Sequence, residues 1–163
     1  MRIVKLVTLG ALLLASPVAA RAGVADIFFD ASVGVPWRTS PDVSRMPTNI
    51  MLTPGVLLIN WVSAEFGVVA GVAQFGQPAR VAIRPMVGLY PPVLPLYAKL
   101  VVDIDNLNLA GGLPVITTVG GALGLQFHAG PIRLFLEGDY LPEKVSGQNL
   151  NIVEARAGLG YKF

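Results

Sequence analysis

The last stretch of the chain, Val153-Glu-Ala-Arg-Ala-Gly-Leu-Gly-Tyr-Lys-Phe163, decides the fold. Val153, Ala155, Ala157, Leu159, Tyr161 and Phe163 are all apolar, and the residues between them are Glu154, Arg156, Gly158, Gly160 and Lys162. A period of two marks a β-strand with one greasy face, because successive side chains leave a strand on opposite sides. Such a strand with a free edge would template aggregation, and closing the sheet on itself removes the edge. The stretch therefore reads as the strand that seals a barrel.

Working back from it, seven further segments alternate: residues 132–141, 115–127, 96–105, 79–90, 61–75, 50–59 and 25–35. In 25–35, for example, Ile27, Phe29, Ala31, Val33 and Val35 oppose Asp26, Phe28, Asp30, Ser32 and Gly34. In 96–105, Leu96, Ala98, Leu100, Val102 and Ile104 oppose Tyr97, Lys99, Val101, Asp103 and Asp105. The segment 50–59 alternates least, and Pro54, with no N–H to give a ladder, predicts a bulge or irregularity there. The connections differ in length at the two ends. Residues 36–49, 106–114 and 142–149 are long and polar or Gly/Pro-rich, with a shorter link at 76–78; the junction near Asn60, 91–95 and 128–131 are short. Eight antiparallel strands, with both termini at the short-loop end, fit this pattern.

The charges obey the same parity. Asp42 and Glu143 fall in expected long loops; Asp26, Asp30, Glu65, Asp103, Asp105, Glu137, Asp139 and Glu154 all lie on the polar parity of their strands. So do Arg80, Arg84, Lys99, Arg133, Arg156 and Lys162. An eight-stranded barrel is only wide enough inside for side chains, so these groups are expected to pair with one another and fill the lumen, since an unpaired buried charge is costly. The glycines of 115–127 and 153–163 then leave room for long charged side chains from neighbouring strands.

Residues 1–22 read as a cleaved secretory signal peptide: Arg2 and Lys5 begin it, a Leu-rich apolar run follows, and small residues end it, with cleavage after Ala20 or Ala22. Residues 23–163 are then the single barrel domain. Arg2, Lys5 and Arg21 leave with the leader, so the mature part has nine basic against ten acidic side chains, and nothing in it points to nucleic acid. The chain is 53% apolar and 13% charged, against about 25% charged for a soluble domain. After the leader no run reaches the ~20 apolar residues of a membrane helix. A greasy exported chain without a helical span points to a transmembrane β-barrel whose apolar face meets lipid. A soluble lipocalin-type barrel would need the same pattern inverted, apolar faces inward and charges outward.

Candidate chemistry is sparse. His128 is the single histidine and precedes Ala129-Gly130-Pro131 at a short turn; a nucleophilic site needs a serine within its reach. In some eight-stranded barrels that deacylate lipid A, His and Ser stand two apart, and here Gly130 holds that position, so no catalytic residue is assigned. Asp103, Asp105 and Asn106 lack the ligand count and glycine spacing of a calcium loop, and Gly120-Gly121-x-x-Gly124 opens no helix that would hold phosphate. No metal or cofactor is expected. Trp61, Tyr90 and Tyr97, near the short turns, join Tyr161 and Phe163 as an expected interfacial aromatic girdle.

At this point the chain resembles the small eight-stranded outer-membrane β-barrels of the OmpA/OmpX type. Two places carry the resemblance: Leu159, Tyr161 and the final Phe163, which look like the signal read by the barrel-assembly machinery, and Gly130-Pro-Ile-Arg-Leu-Phe-Leu-Glu-Gly-Asp-Tyr140, similar to the penultimate strand of many such barrels. The departures are Pro54 and Pro85 within strands and short outer loops, which put a receptor or adhesin role in doubt. The resemblance implies an outer-membrane location, lipid as the surrounding partner, no nucleic acid, a monomer, and a non-enzymatic structural or surface-interaction role. A lipid-modifying enzyme and a narrow diffusion channel are the alternatives.

Overall fold

Alternation becomes a closed sheet. The computed structural model describes residues 25–58, 61–74, 79–105, 107, 115–145 and 148–163; the expected signal peptide, the junction at residue 60, the link 76–78 and nearly all of the loop 106–114 lie outside them. Every described element is a strand: β1 (Ala25–Arg38), β2 (Ser44–Arg45), β3 (Asn49–Leu58), β4 (Val62–Gly71), β5 (Arg80–Leu89), β6 (Leu96–Asp105), β7 (Ile116–Ala129), β8 (Ile132–Val145) and β9 (Gln148–Lys162). All pairings are antiparallel, the eight long strands pair in chain order, and β1 also pairs with β9, from Phe28↔Lys162 to Arg38↔Ile152. The eight long strands therefore form a closed up-and-down barrel. The two-residue β2 continues the place of β3 beside β1, above a break at residues 46–48 that contains Pro47.

The faces sort as period two demands. Leu100, Val119, Leu123, Leu136 and Leu159 are exposed, whereas Asp103, Glu154, Arg84 and Arg156 are buried. The inversion required of a lipocalin-type barrel is absent. The interior also holds apolar side chains between the charges: Met51, Val69, Met86, Val101, Leu141 and Ile152 pack as one cluster. They lie on the inward parity of their strands, as the charges do, so parity sets direction while polarity alone does not.

Three expectations change in detail. At Pro54 no residue is inserted: β3 keeps one register with β4, Leu52↔Val68 and Gly55↔Glu65, and loses only the pairs between. The proline removes a donor without shifting the strand. Second, residues 142–149 are not a loop. β8 and β9 stay paired through Pro142↔Asn151, Glu143↔Leu150 and Val145↔Gln148, so the hairpin runs on as a ribbon. Third, the glycines make way for aromatic as well as charged neighbours: a Cβ at Gly160 would strike Asp30, but one at Gly124 would strike Tyr97 and one at Gly158 would strike Phe135.

Candidate functional site

The lumen gathers the chemistry of this chain. Each long strand turns alternate residues inward, so charged side chains from β1, β4, β5, β6, β8 and β9 meet along the axis. Arg84 on β5 lies at the centre, with Nε 2.5 Å from Asp103 Oδ1 and Nη1 3.2 Å from Asp139 and 3.0 Å from Glu154. Arg156 on β9 meets the same acids from the other side, 3.2 Å from Asp139 and 3.7 Å from Glu137, and it also binds Glu154. Lys99 bridges Glu137 and Glu65, 2.9 Å from each.

At the end away from the termini, Arg80 reaches Asp103 at 3.0 Å and Asp105 at 2.6 Å. The result is one connected network running from Asp105 through Arg80, Asp103, Arg84, Asp139, Glu154, Arg156, Glu137 and Lys99 to Glu65. Arg133 pairs separately with Asp30, and Asp26 and Lys162 pair at 2.5 Å on the half-exposed rim. All fourteen charged residues expected in the lumen thus have an opposite charge beside them, though Asp26 and Lys162 stand at its mouth. A desolvated ion needs such compensation to remain buried.

Below the network lies an aromatic box that sequence reasoning missed. Tyr90 and Tyr97, expected on the outer girdle, are only 4% and 3% exposed and stack inside with ring centroids 5.0 Å apart. Tyr90 donates a hydrogen bond of 2.5 Å to Glu65 Oε1, which also accepts one from Ser63 at 2.6 Å. The Arg133 guanidinium sits over Phe28, Tyr90 and Phe135, 4.9 to 5.3 Å from their centroids, and Lys99 lies 5.1 Å from that of Tyr97. These cation–π contacts spread each charge over a desolvated ring face. The physical reason for the correction is parity: Tyr97 alternates with Lys99, and Tyr90 with Gly88 and Arg84. Position beside a turn does not outweigh it. Trp61, Tyr161 and Phe163 do face outward, the last two in edge-to-face contact at 5.1 Å.

Glu143 is a second correction. It is not in a loop but on β8, only 6% exposed, on the inward parity of Glu137, Asp139 and Leu141. Continuing that alternation past Pro142 would have found it.

His128 is exposed at the end of β7, where a cavity of about 600 Å³ opens toward the termini. Lys162, Arg133, Tyr161 and the turn at 91–95 share that cavity, and among the described residues no serine or threonine lines it. Gly130 takes the left-handed conformation, φ 62°, that the tight β7–β8 turn requires.

No protein-family model matches the chain, and no curated protein does. Solved structures do. Neisserial surface protein A is similar with a TM-score of 0.62 at 14% identity, over 85% of this chain and 99% of that one. Ail, the attachment invasion locus protein of Yersinia pestis, in complex with the heparin analogue sucrose octasulfate, is similar with a TM-score of 0.51 at 12% identity, over 86% and 99%. Both are eight-stranded outer-membrane barrels. With its sheet closed by the pairing of β1 with β9, its charges inside and its aliphatic side chains outside, this chain has the fold of the small eight-stranded outer-membrane β-barrels.

Proposed function

We propose that the chain is an integral outer-membrane protein, exported by its N-terminal leader, whose lumen is sealed by its own ion pairs and whose role is structural or surface-interacting. One observation carries this: the barrel is inside out relative to a soluble protein, with Leu100, Val119, Leu123 and Leu136 exposed in a band around buried charges. Lipid is the solvent that makes such a surface stable, and a closed barrel leaves no free sheet edge within it. The crowded interior argues against conduction, since the central ions Arg84, Glu154 and Arg156 each lie against two or more opposite charges. The two similar structures, a surface protein and an attachment protein, support a role at the cell surface. Membrane lipid surrounds the barrel, the assembly machinery reads Leu159, Tyr161 and Phe163, and the chain works as a monomer.

Fractionation of cells expressing the chain, followed by gel electrophoresis with and without boiling, tests this reading. The chain is expected in the carbonate-resistant outer-membrane fraction, with a mobility shift on boiling. Recovery as a soluble protein without a shift would overturn it, and discrete conductance steps in a planar bilayer would overturn the sealed lumen.

A further inference from the structure

We propose that Asp103, Asp105 and Glu143 form a binding site for a hard divalent cation, Ca²⁺ above all, at the end of the lumen away from the termini. Each of the three offers a carboxylate oxygen, all within 4.8 Å of one another. That spacing suits oxygens sharing one ion at the ~2.3–2.6 Å of calcium coordination. Two observations beyond the acidic cluster point to a ligand.

First, the charge there does not balance. Asp103, Asp105, Asp139, Glu143 and Glu154 face Arg80, Arg84 and Arg156, leaving two negative charges in excess. The nearby Arg38 turns instead to Ser44, Nε to Oγ 3.2 Å. Asp103 gives one oxygen to Arg80 and the other to Arg84, and Arg80 also takes one oxygen of Asp105, but among the described residues Glu143 has no ion pair and its buried Oε1 has no hydrogen-bond partner. Second, Thr118 is 4% exposed, faces inward in register with Asp103, and its Oγ1 also has no partner.

The strand between the acids permits this convergence. β7 lies between β6, which carries Asp103 and Asp105, and β8, which carries Glu143, and on its inward parity at this level it offers the uncharged Ile116, Thr118 and Gly120. A Cβ at Gly120 would run into the Tyr140 carbonyl and Leu141, so the strands are pressed together there. Three carboxylates and a hydroxyl, without nitrogen or sulfur, select hard ions, and oxygens drawn from three different strands suit the flexible geometry of Ca²⁺ better than the octahedral demand of Mg²⁺. A site assembled across strands leaves no calcium-loop spacing in the sequence, so the D-I-D-N stretch did not disclose it.

Isothermal titration of the full chain, refolded in micelles stripped of divalent ions, tests the site with CaCl₂ and MgCl₂ as probes. One saturable Ca²⁺ site per chain is expected, with a raised unfolding temperature in Ca²⁺ relative to chelator. Glu143→Gln and Asp105→Asn should each weaken binding by about tenfold or more and Thr118→Val by less, a tenfold change being about 1.4 kcal/mol. The exposed Asp42→Asn should leave it unchanged. Folded wild-type chain without saturable binding to about 10 mM Ca²⁺, above the millimolar range of extracellular calcium modules, would overturn the proposal, as would Glu143→Gln binding like wild type. Should Glu143→Gln fail to fold, the wild-type titration and Thr118→Val decide.

Discussion

Arg84 shows what a single residue does in this interior. It sits at 1% exposure among Asp103, Asp139 and Glu154, so its charge offsets desolvation for three acids at once. Replacing it by the similarly long, uncharged Met keeps most of the packing and strands those acids. Removing one partner of a buried pair costs about 3–5 kcal/mol, and Arg84→Met is expected to lose at least that much in urea unfolding monitored by gel mobility. Little loss would mean that water, not Arg84, solvates the acids. Individual partners of this kind were not legible in the sequence. Parity assigned Arg84 and Glu154 to one interior, but which acid meets which base depends on strand stagger and on side-chain reach. Tyr90 and Tyr97 teach the converse: their parity was plain, and the habit of placing aromatics at membrane interfaces overrode it.

Among the elements, β6 to β9 repeat one design, an outward aliphatic row against an inward mixed row. Leu123 on β7 is 72% exposed and midway along its strand. Leu123→Arg is expected to destabilise the barrel in lipid vesicles by about 2–4 kcal/mol, the cost of a cation near the bilayer midplane on a barrel's outer face. The same variant in loosely packed detergent should lose far less. Equal losses in both would show that Leu123 does not face lipid. Element ends were the less legible part. The β8–β9 hairpin continues past Pro142 because that proline faces outward beside Asn151, where ladder pairing persists around it; a proline followed by polar residues otherwise signals a loop. The short β2 could not be read at all, since two residues carry no periodicity.

At the scale of the whole molecule, closure makes distant parts of the chain neighbours. Arg156 donates to Ser32, 124 positions away, and Arg133 pairs with Asp30 across 103 positions. Contacts this remote are made only once most of the loop entropy has been lost, which slows folding and makes it all-or-none. The number of strands and their faces were legible because each rests on local alternation. The register of the seam and the individual pairs of the network were not, because they exist only when the first and last strands meet.

That seam carries a further consequence. Phe163 donates its N–H to the Ile27 carbonyl at 2.9 Å, and Lys162 lies beside Phe28, so the chain's end abuts the start of its first strand at one rim. As a sheet the barrel has no beginning; the gap between β9 and β1 is an interruption of the covalent chain alone. A circular permutant that bridges this gap with a short flexible linker and opens the turn at residues 91–95 should refold in micelles with the same heat-sensitive mobility. In cells the same permutant should be exported yet fail to insert, because Leu159, Tyr161 and Phe163 would no longer end the chain. Efficient insertion would show that architecture, not the terminal address, is what the cell reads.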